Sequence, residues 1–128
     1  MHAVDTNVLV RLIIRDDKRQ MAAAEAFIDH GAWVSHLVLV ETMWVLSSLY
    51  DITPKSIATA LDMLLDHKDI SIQEPEVVTA ALAHFRNKPS LGFSDCMVLE
   101  VARKAGCLPL GTFDIGLGKL DGAQRLRA

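Results

Sequence analysis

The chain of 128 residues has room for one domain at roughly 150 residues per domain, and with 51% hydrophobic and 23% charged residues it is too apolar for disorder. Thirteen Lys and Arg against sixteen Asp and Glu leave a net charge of −3, which excludes a global basic footprint for nucleic acid, and no apolar run approaches the roughly 20 residues of a membrane span. In chain order, residues 2–4 form a short β-compatible opening that delivers Asp5, after which Val8, Leu9, Leu12 and Ile13 recur at helical spacing with Thr6 as the expected N-cap. A second helix is predicted over residues 19–30, closed by Gly31, and a buried strand over 32–35. Residues 37–50 are apolar almost all round and predict a helix buried on most sides. Thr53 and Pro54 start the next helix, with Ile57, Ala58, Leu61, Leu64 and Leu65 as its apolar stripe. Residues 69–73 alternate like a strand, and Pro75 opens a helix with Val78, Leu82 and Phe85 on one face. Ser94 is expected to cap a helix over 95–105 that Gly106 closes; residues 107–113 then read as a strand delivering Asp114, and 123–126 as an edge strand. Helices between strands imply a parallel sheet covered on both faces. The expected fold is α/β, a three-layer α/β/α sandwich with a central, mostly parallel twisted sheet, in one domain over residues 1–128.

Charge is partitioned along the chain. Residues 51–76 carry six acids against Lys55 and Lys68, whereas residues 81–128 carry seven Lys and Arg against Asp95, Glu100, Asp114 and Asp121, so the carboxylates of the basic half need a reason. Cys96 and Cys107 form no CxxC pair and read as reduced core residues, not as a disulfide framework or zinc knuckle. His2, His30, His36, His67 and His84 fall at no metal-ligand spacing such as HExxH. The first residues have neither the basic region nor the apolar stretch of a signal peptide, and the expected compartment is the cytoplasm.

Functional groups of open parallel sheets gather beyond the carboxyl ends of the strands, where loops and helix N-termini line a crevice. Asp5 and Asp114 follow predicted strands, and Asp95 lies in the first turn of its helix. Glu41, set within the apolar residues 37–46, faces heavy desolvation unless a cation pairs with it. Taken singly, each acid has an ordinary explanation: a strand-end cap for Asp5, a helix-dipole partner for Asp95, a turn for Asp114 and a core salt bridge for Glu41. Taken together, converging carboxylates repel one another, and a hard divalent cation relieves the repulsion. An oxygen-only set without His or Cys favours magnesium or manganese over zinc. Metal sites of that kind act on phosphoryl groups, which points to a phosphodiester substrate.

The segment Val4-Asp5-Thr6-Asn7-Val8-Leu9, the apolar helix carrying Val40-Glu41, the Phe93-Ser94-Asp95 helix start and Thr112-Phe113-Asp114 together resemble the PIN-domain family. In length and order the chain is most similar to the VapC-type toxins of bacterial and archaeal toxin-antitoxin modules, and the resemblance covers essentially all of it. It implies a Mg²⁺-dependent endoribonuclease, with Mn²⁺ as a substitute, in which Asp5, Glu41, Asp95 and Asp114 hold one or two metal ions. Thr6 and Asn7 would line the site, with Ser94 and Thr112 supporting it through hydrogen bonds. A metal-activated water would attack the RNA phosphorus in line, leaving a 5′-phosphate and a 3′-hydroxyl, with either Glu41 or Asp95 steering the proton. Arg86, Lys88, Arg103 and Lys104 are candidate contacts to the RNA backbone, with solvated helix-end charges as the alternative reading. The partners implied are RNA, a cognate antitoxin and a second copy of the chain; DNA would be met only through the antitoxin, and no membrane is involved. One departure stands out: many relatives carry a further acid two residues after the last aspartate, and this chain has Gly116 there, which leaves a second metal open. Two other classes stay in view. One is a PIN-fold subunit that binds within a DNA-bound repressor complex with little nuclease activity. The other is an acid-metal phosphatase with an aspartyl nucleophile, which usually wants a second carboxylate where this chain has Asn7.

Overall fold

In the computed structural model, which describes residues 1–128, the first three strands pair in parallel. They are β1 (His2–Ala3), β2 (Ala32–Val34) and β3 (Ile70–Ile72), in the order β1-β2-β3. Parallel neighbours need long crossovers, and pairs of helices supply them: α1 (Thr6–Ile14) and α2 (Lys18–Ile28) between β1 and β2, α3 (His36–Leu49) and α4 (Pro54–Asp66) between β2 and β3. The register sets Ala3 against Trp33, Ala32 against Ile70 and Val34 against Ile72. With side chains alternating along each strand, Ala32, Val34, Ile70 and Ile72 share a buried face, while Trp33 and Ser71 are exposed. These elements make up the first of two units into which the chain divides, Met1–Pro75 and Glu76–Ala128.

Local signals set the helix starts. Thr53 caps α4 by accepting the Ser56 N–H at 3.2 Å, with Pro54 in the first turn. Ser35 caps α3 in the same way through the Val38 N–H at 3.1 Å. The burial expected of α3 is not what forms. Only Leu39, Thr42, Met43 and Leu46, at i, i+3, i+4 and i+7, are buried, whereas Leu37, Trp44 and Leu49 are 84%, 59% and 69% exposed. One apolar stripe suffices to seat a helix, whatever the hydrophobicity of its other side. Thr42 is tolerated in the buried stripe because its hydroxyl donates to the Val38 carbonyl at 2.7 Å.

In the second unit, α5 (Pro75–Asn87) and α6 (Phe93–Lys104) flank a 3₁₀ turn over Pro89–Leu91. The Phe85 and Phe93 rings meet edge to face at 6.2 Å. β4 (Leu110–Thr112) and β5 (Ala123–Arg125) pair in parallel, Leu110 against Ala123 and Thr112 against Arg125. Every strand pairing is therefore parallel, as expected of this α/β fold, and the ladders fall into a three-stranded and a two-stranded sheet. The β4–β5 connection closes through a second 3₁₀ turn, Leu117–Lys119, where a Cβ on Gly118 would stand 2.8 Å from the Arg125 Cβ. Only glycine lets the turn lie that close to β5.

A buried carboxylate organises this unit. Glu100, 6% exposed, is hydrogen-bonded to His84 Nε2 at 3.0 Å and accepts from Arg103 Nε at 3.2 Å, and Arg103 Nη2 donates to the Asp121 carbonyl at 2.6 Å. An ionised group persists in such a place only with partners of this kind, and these tie α5, α6 and the turn before β5 together. Cys96 is buried, and burial, aided by the charge of Asp95, pushes its thiol up to about 11. Cys107, expected in the core, is exposed. It falls in the connection between α6 and β4, after Gly106 has turned the chain away from the helix. No helix is long and apolar enough to cross a membrane.

Candidate active site

The first unit supplies Asp5 and Glu41. Asp5 follows β1 and is itself the N-cap of α1: its Oδ1 accepts the Val8 N–H at 3.2 Å, which holds the side chain at the helix start and leaves Oδ2 free. Thr6, expected in that role, is the first helical residue and is buried. The two are adjacent and both residue types can cap, so the backbone decides; Asp5 has the extended conformation that a cap requires. Glu41 projects from α3 into the same locality, and Asp5, Thr6, Asn7, Leu37, Val38 and Glu41 line an open pocket of about 240 Å³. The N-terminal end of α1 adds a favourable potential for carboxylates there.

The desolvation expected for Glu41 is absent. Its side chain is exposed and pairs with no basic residue. At helical spacing, position 41 lies with Leu37 and Trp44 on the side of α3 away from the stripe of Leu39, Thr42, Met43 and Leu46. Glu41 therefore needs no core cation, and its carboxylate is open to solvent and to ligands.

The second unit supplies Asp95 and Asp114. Asp95 is in the first turn of α6, half-buried, and its carboxyl pKa is raised, first by burial and then by the charge of Asp114. The cap expected of Ser94 does not form: the helix starts at Phe93, Gly92 takes the N-cap position at φ +78, and Ser94 is exposed. Asp114, just past β4, is fixed by three hydrogen bonds. Its N–H donates to Thr112 Oγ1 at 3.0 Å, its Oδ2 accepts the Leu117 N–H at 2.7 Å, and its carbonyl accepts the Gly118 N–H at 3.0 Å. Thr112 thus steadies Asp114 directly, while Gly116 adds no side chain beside it.

The candidate RNA contacts differ in availability. Arg103 is engaged by Glu100 and the Asp121 carbonyl, Lys104 by Glu76 at 3.0 Å, and Arg86 also has a partner. Lys88 is exposed and without an ion pair. Glu100, which sequence reasoning passed over, is the one buried acid of the chain. The signal that marks it is an acid at a position of α6 shared with the buried Cys96 and Leu99.

The donor chemistry suits a hard divalent cation. Asp5, Asn7 and Glu41 offer only oxygen and amide groups at one pocket, and Asp95 bears a charge penalty from Asp114 that a cation would relieve. In neither unit do three His, Cys, Asp or Glu side chains cluster closely enough to enclose an ion. Magnesium does not ask for such a cage, since it typically binds through one or two carboxylates and keeps several waters.

Comparison with curated proteins returns no match. The profile of the PIN domain family matches residues 3–123, a span that contains all four acids and β2, β3 and β4 in full. On that match this chain belongs to the PIN domain family, whose domains are generally metal-dependent nucleases.

Proposed function

We propose that this protein is a divalent-metal-dependent endoribonuclease and the toxin component of a type II toxin-antitoxin module. The observation that carries the reading is the pairing of available carboxylates, Asp5 with Glu41 at one pocket and the half-buried Asp95 within the field of Asp114. Asp5, Glu41, Asp95 and Asp114 are the residues that would hold Mg²⁺ or Mn²⁺. When bound, the ion supplies charge neutralisation for a phosphoryl group and makes water acidic enough to act as a nucleophile near neutral pH.

The chain's own contribution is positional. Asp5 and Asp114 each commit one carboxylate oxygen to a backbone N–H, of Val8 and Leu117 respectively, which fixes the rotamer and leaves the second oxygen available. Thr6 and Asn7 shape the floor of the pocket beside Asp5. Asp95 takes up a proton more readily than an ordinary aspartate because of its burial and of Asp114, and either it or Glu41 would accept the proton of the attacking water.

The partner we propose is a small antitoxin that inserts an Arg or Lys side chain against the acids. In support, the pocket joins Asp5 and Glu41 to Leu37 and Val38, so a long basic side chain finds both a carboxylate for its head and apolar contact for its stem.

The test is incubation of the purified protein with a total RNA pool, with mapping of new 5′ ends, repeated in chelator and with Asp5→Asn. Discrete 5′-phosphate ends that vanish in both controls are expected. Cleavage that survives excess chelator rejects the metal mechanism, and a folded protein that cuts nothing in Mg²⁺ or Mn²⁺ favours the binding-subunit reading.

A further inference from the structure

Lys88 stands where the polypeptide is well fixed although its side chain is free. Its N–H donates to the His84 carbonyl at 3.0 Å at the end of α5, and its carbonyl accepts the Leu91 N–H at 3.1 Å as the 3₁₀ turn begins. The side chain reaches from there to the bare face of Gly116. A Cβ on Gly116 would lie 3.8 Å from Lys88 Nζ, 3.4 Å from Asp114 Oδ2 and 3.3 Å from Leu91 Cδ2. An ammonium and a carboxylate of the site therefore lie close to the same face of Gly116, with Leu91 packed against it so that a side chain there would be crowded.

Building on the nuclease reading, we infer that Lys88 forms a phosphate-binding position for single-stranded RNA at the edge of Asp114, with Lys88 Nζ donating to a non-bridging phosphate oxygen. The charges select this ligand class. Asp95 and Asp114 repel a phosphodiester, so a backbone that approaches them needs a cation fixed at the edge of the acids. A lysine ammonium is a compact point charge that accepts phosphate oxygens from many directions. Lys88 can bind one without breaking an internal pair, whereas Arg103 and Lys104 would have to leave Glu100 and Glu76. A carboxylate at position 116 would put a second negative charge beside Lys88; glycine leaves the ammonium to the substrate.

The experiment is fluorescence anisotropy of a labelled single-stranded oligoribonucleotide in metal-free buffer, where cleavage is silent, over a series of KCl concentrations. Each phosphate neutralised on a single strand contributes about 0.7 to the slope of log affinity against log salt. Lys88→Met should flatten the slope by about 0.7 and weaken binding at low salt by roughly threefold to tenfold. In Mg²⁺ it should raise KM with little change in kcat, and Lys88→Arg should restore both slope and KM. Lys68→Met, the same charge change between α4 and β3, should leave the slope as it was. A Lys88→Met slope equal to wild type in a protein that cleaves RNA overturns the phosphate position and leaves the nuclease reading standing. A wild type that neither binds nor cleaves RNA overturns both.

Discussion

Burial and the charge of Asp114 raise the carboxyl pKa of Asp95, so the folded chain binds that proton more tightly than the unfolded chain does. The ionised carboxylate then opposes folding: the penalty is absent below the ordinary value of 3.8 and grows as pH rises through the folded value. Asp95→Asn should accordingly be more stable than wild type at pH 7 in chelator, with the two urea midpoints converging in acid. A variant less stable at pH 7 would show that ionised Asp95 is a structural partner. The same substitution should lower RNA cleavage by on the order of a hundredfold, as should Asp5→Asn, Glu41→Gln and Asp114→Asn. Glu41 is exposed and unpaired, so Glu41→Gln should be thermally neutral without metal, within roughly 0.5 kcal/mol. Glu41 is thus separable from the stability of the fold, unlike Glu100.

At the scale of elements, α3 makes the sharpest distinction between hydrophobicity and burial. Leu46 is fully buried and Leu49 is largely exposed, although both are leucines on one helix. Leu46→Ala should cost about 3 kcal/mol in urea unfolding and Leu49→Ala less than about 0.5 kcal/mol. Equal costs would mean that the outer side of α3 is covered in solution. In the second unit the Glu100 network joins α5 to α6 and to the turn before β5. Glu100→Gln leaves the Arg103 guanidinium without its counter-charge, at a cost of about 2 kcal/mol, less than for a fully buried pair because Arg103 is partly exposed. The element boundaries were largely legible in the amino-acid pattern, since Thr53-Pro54 and the alternation of Ile70-Ser71-Ile72 are local signals that the backbone obeys. The caps of α1 and α6 were not, because Asp5 competes with Thr6 and Gly92 with Ser94 over one or two positions, and that choice is made by the dihedral angles of the incoming chain.

For the whole molecule, the proposed metal and partner act as linked ligands of the folded state. Mg²⁺ at ten times its dissociation constant should stabilise the protein by about 1.4 kcal/mol, and Glu41→Gln should lose most of that gain. A metal-induced rise in Tm of the same size in both proteins would remove Glu41 from the ligand set. The antitoxin should compete with metal through its inserted cation. Replacing that Arg or Lys with alanine should weaken the complex modestly yet restore RNA cleavage within it. Full inhibition by the altered antitoxin at high Mg²⁺ would mean that the partner acts by covering the RNA path.

The amino-acid sequence by itself determined the α/β class, the parallel pairing and most element positions, because these rest on periodicity and short motifs that operate within a few residues. Tertiary structure alone decided which side of α3 is covered, and hence that Glu41 is solvated. It also placed Cys107 outside the core, gave Glu100 its partners, and set Lys88 over Gly116 beside Asp114. The physical reason is common to all of these. Periodicity states which face of an element is apolar, but burial and electrostatic pairing depend on neighbours distant in the chain, whose positions no local pattern encodes.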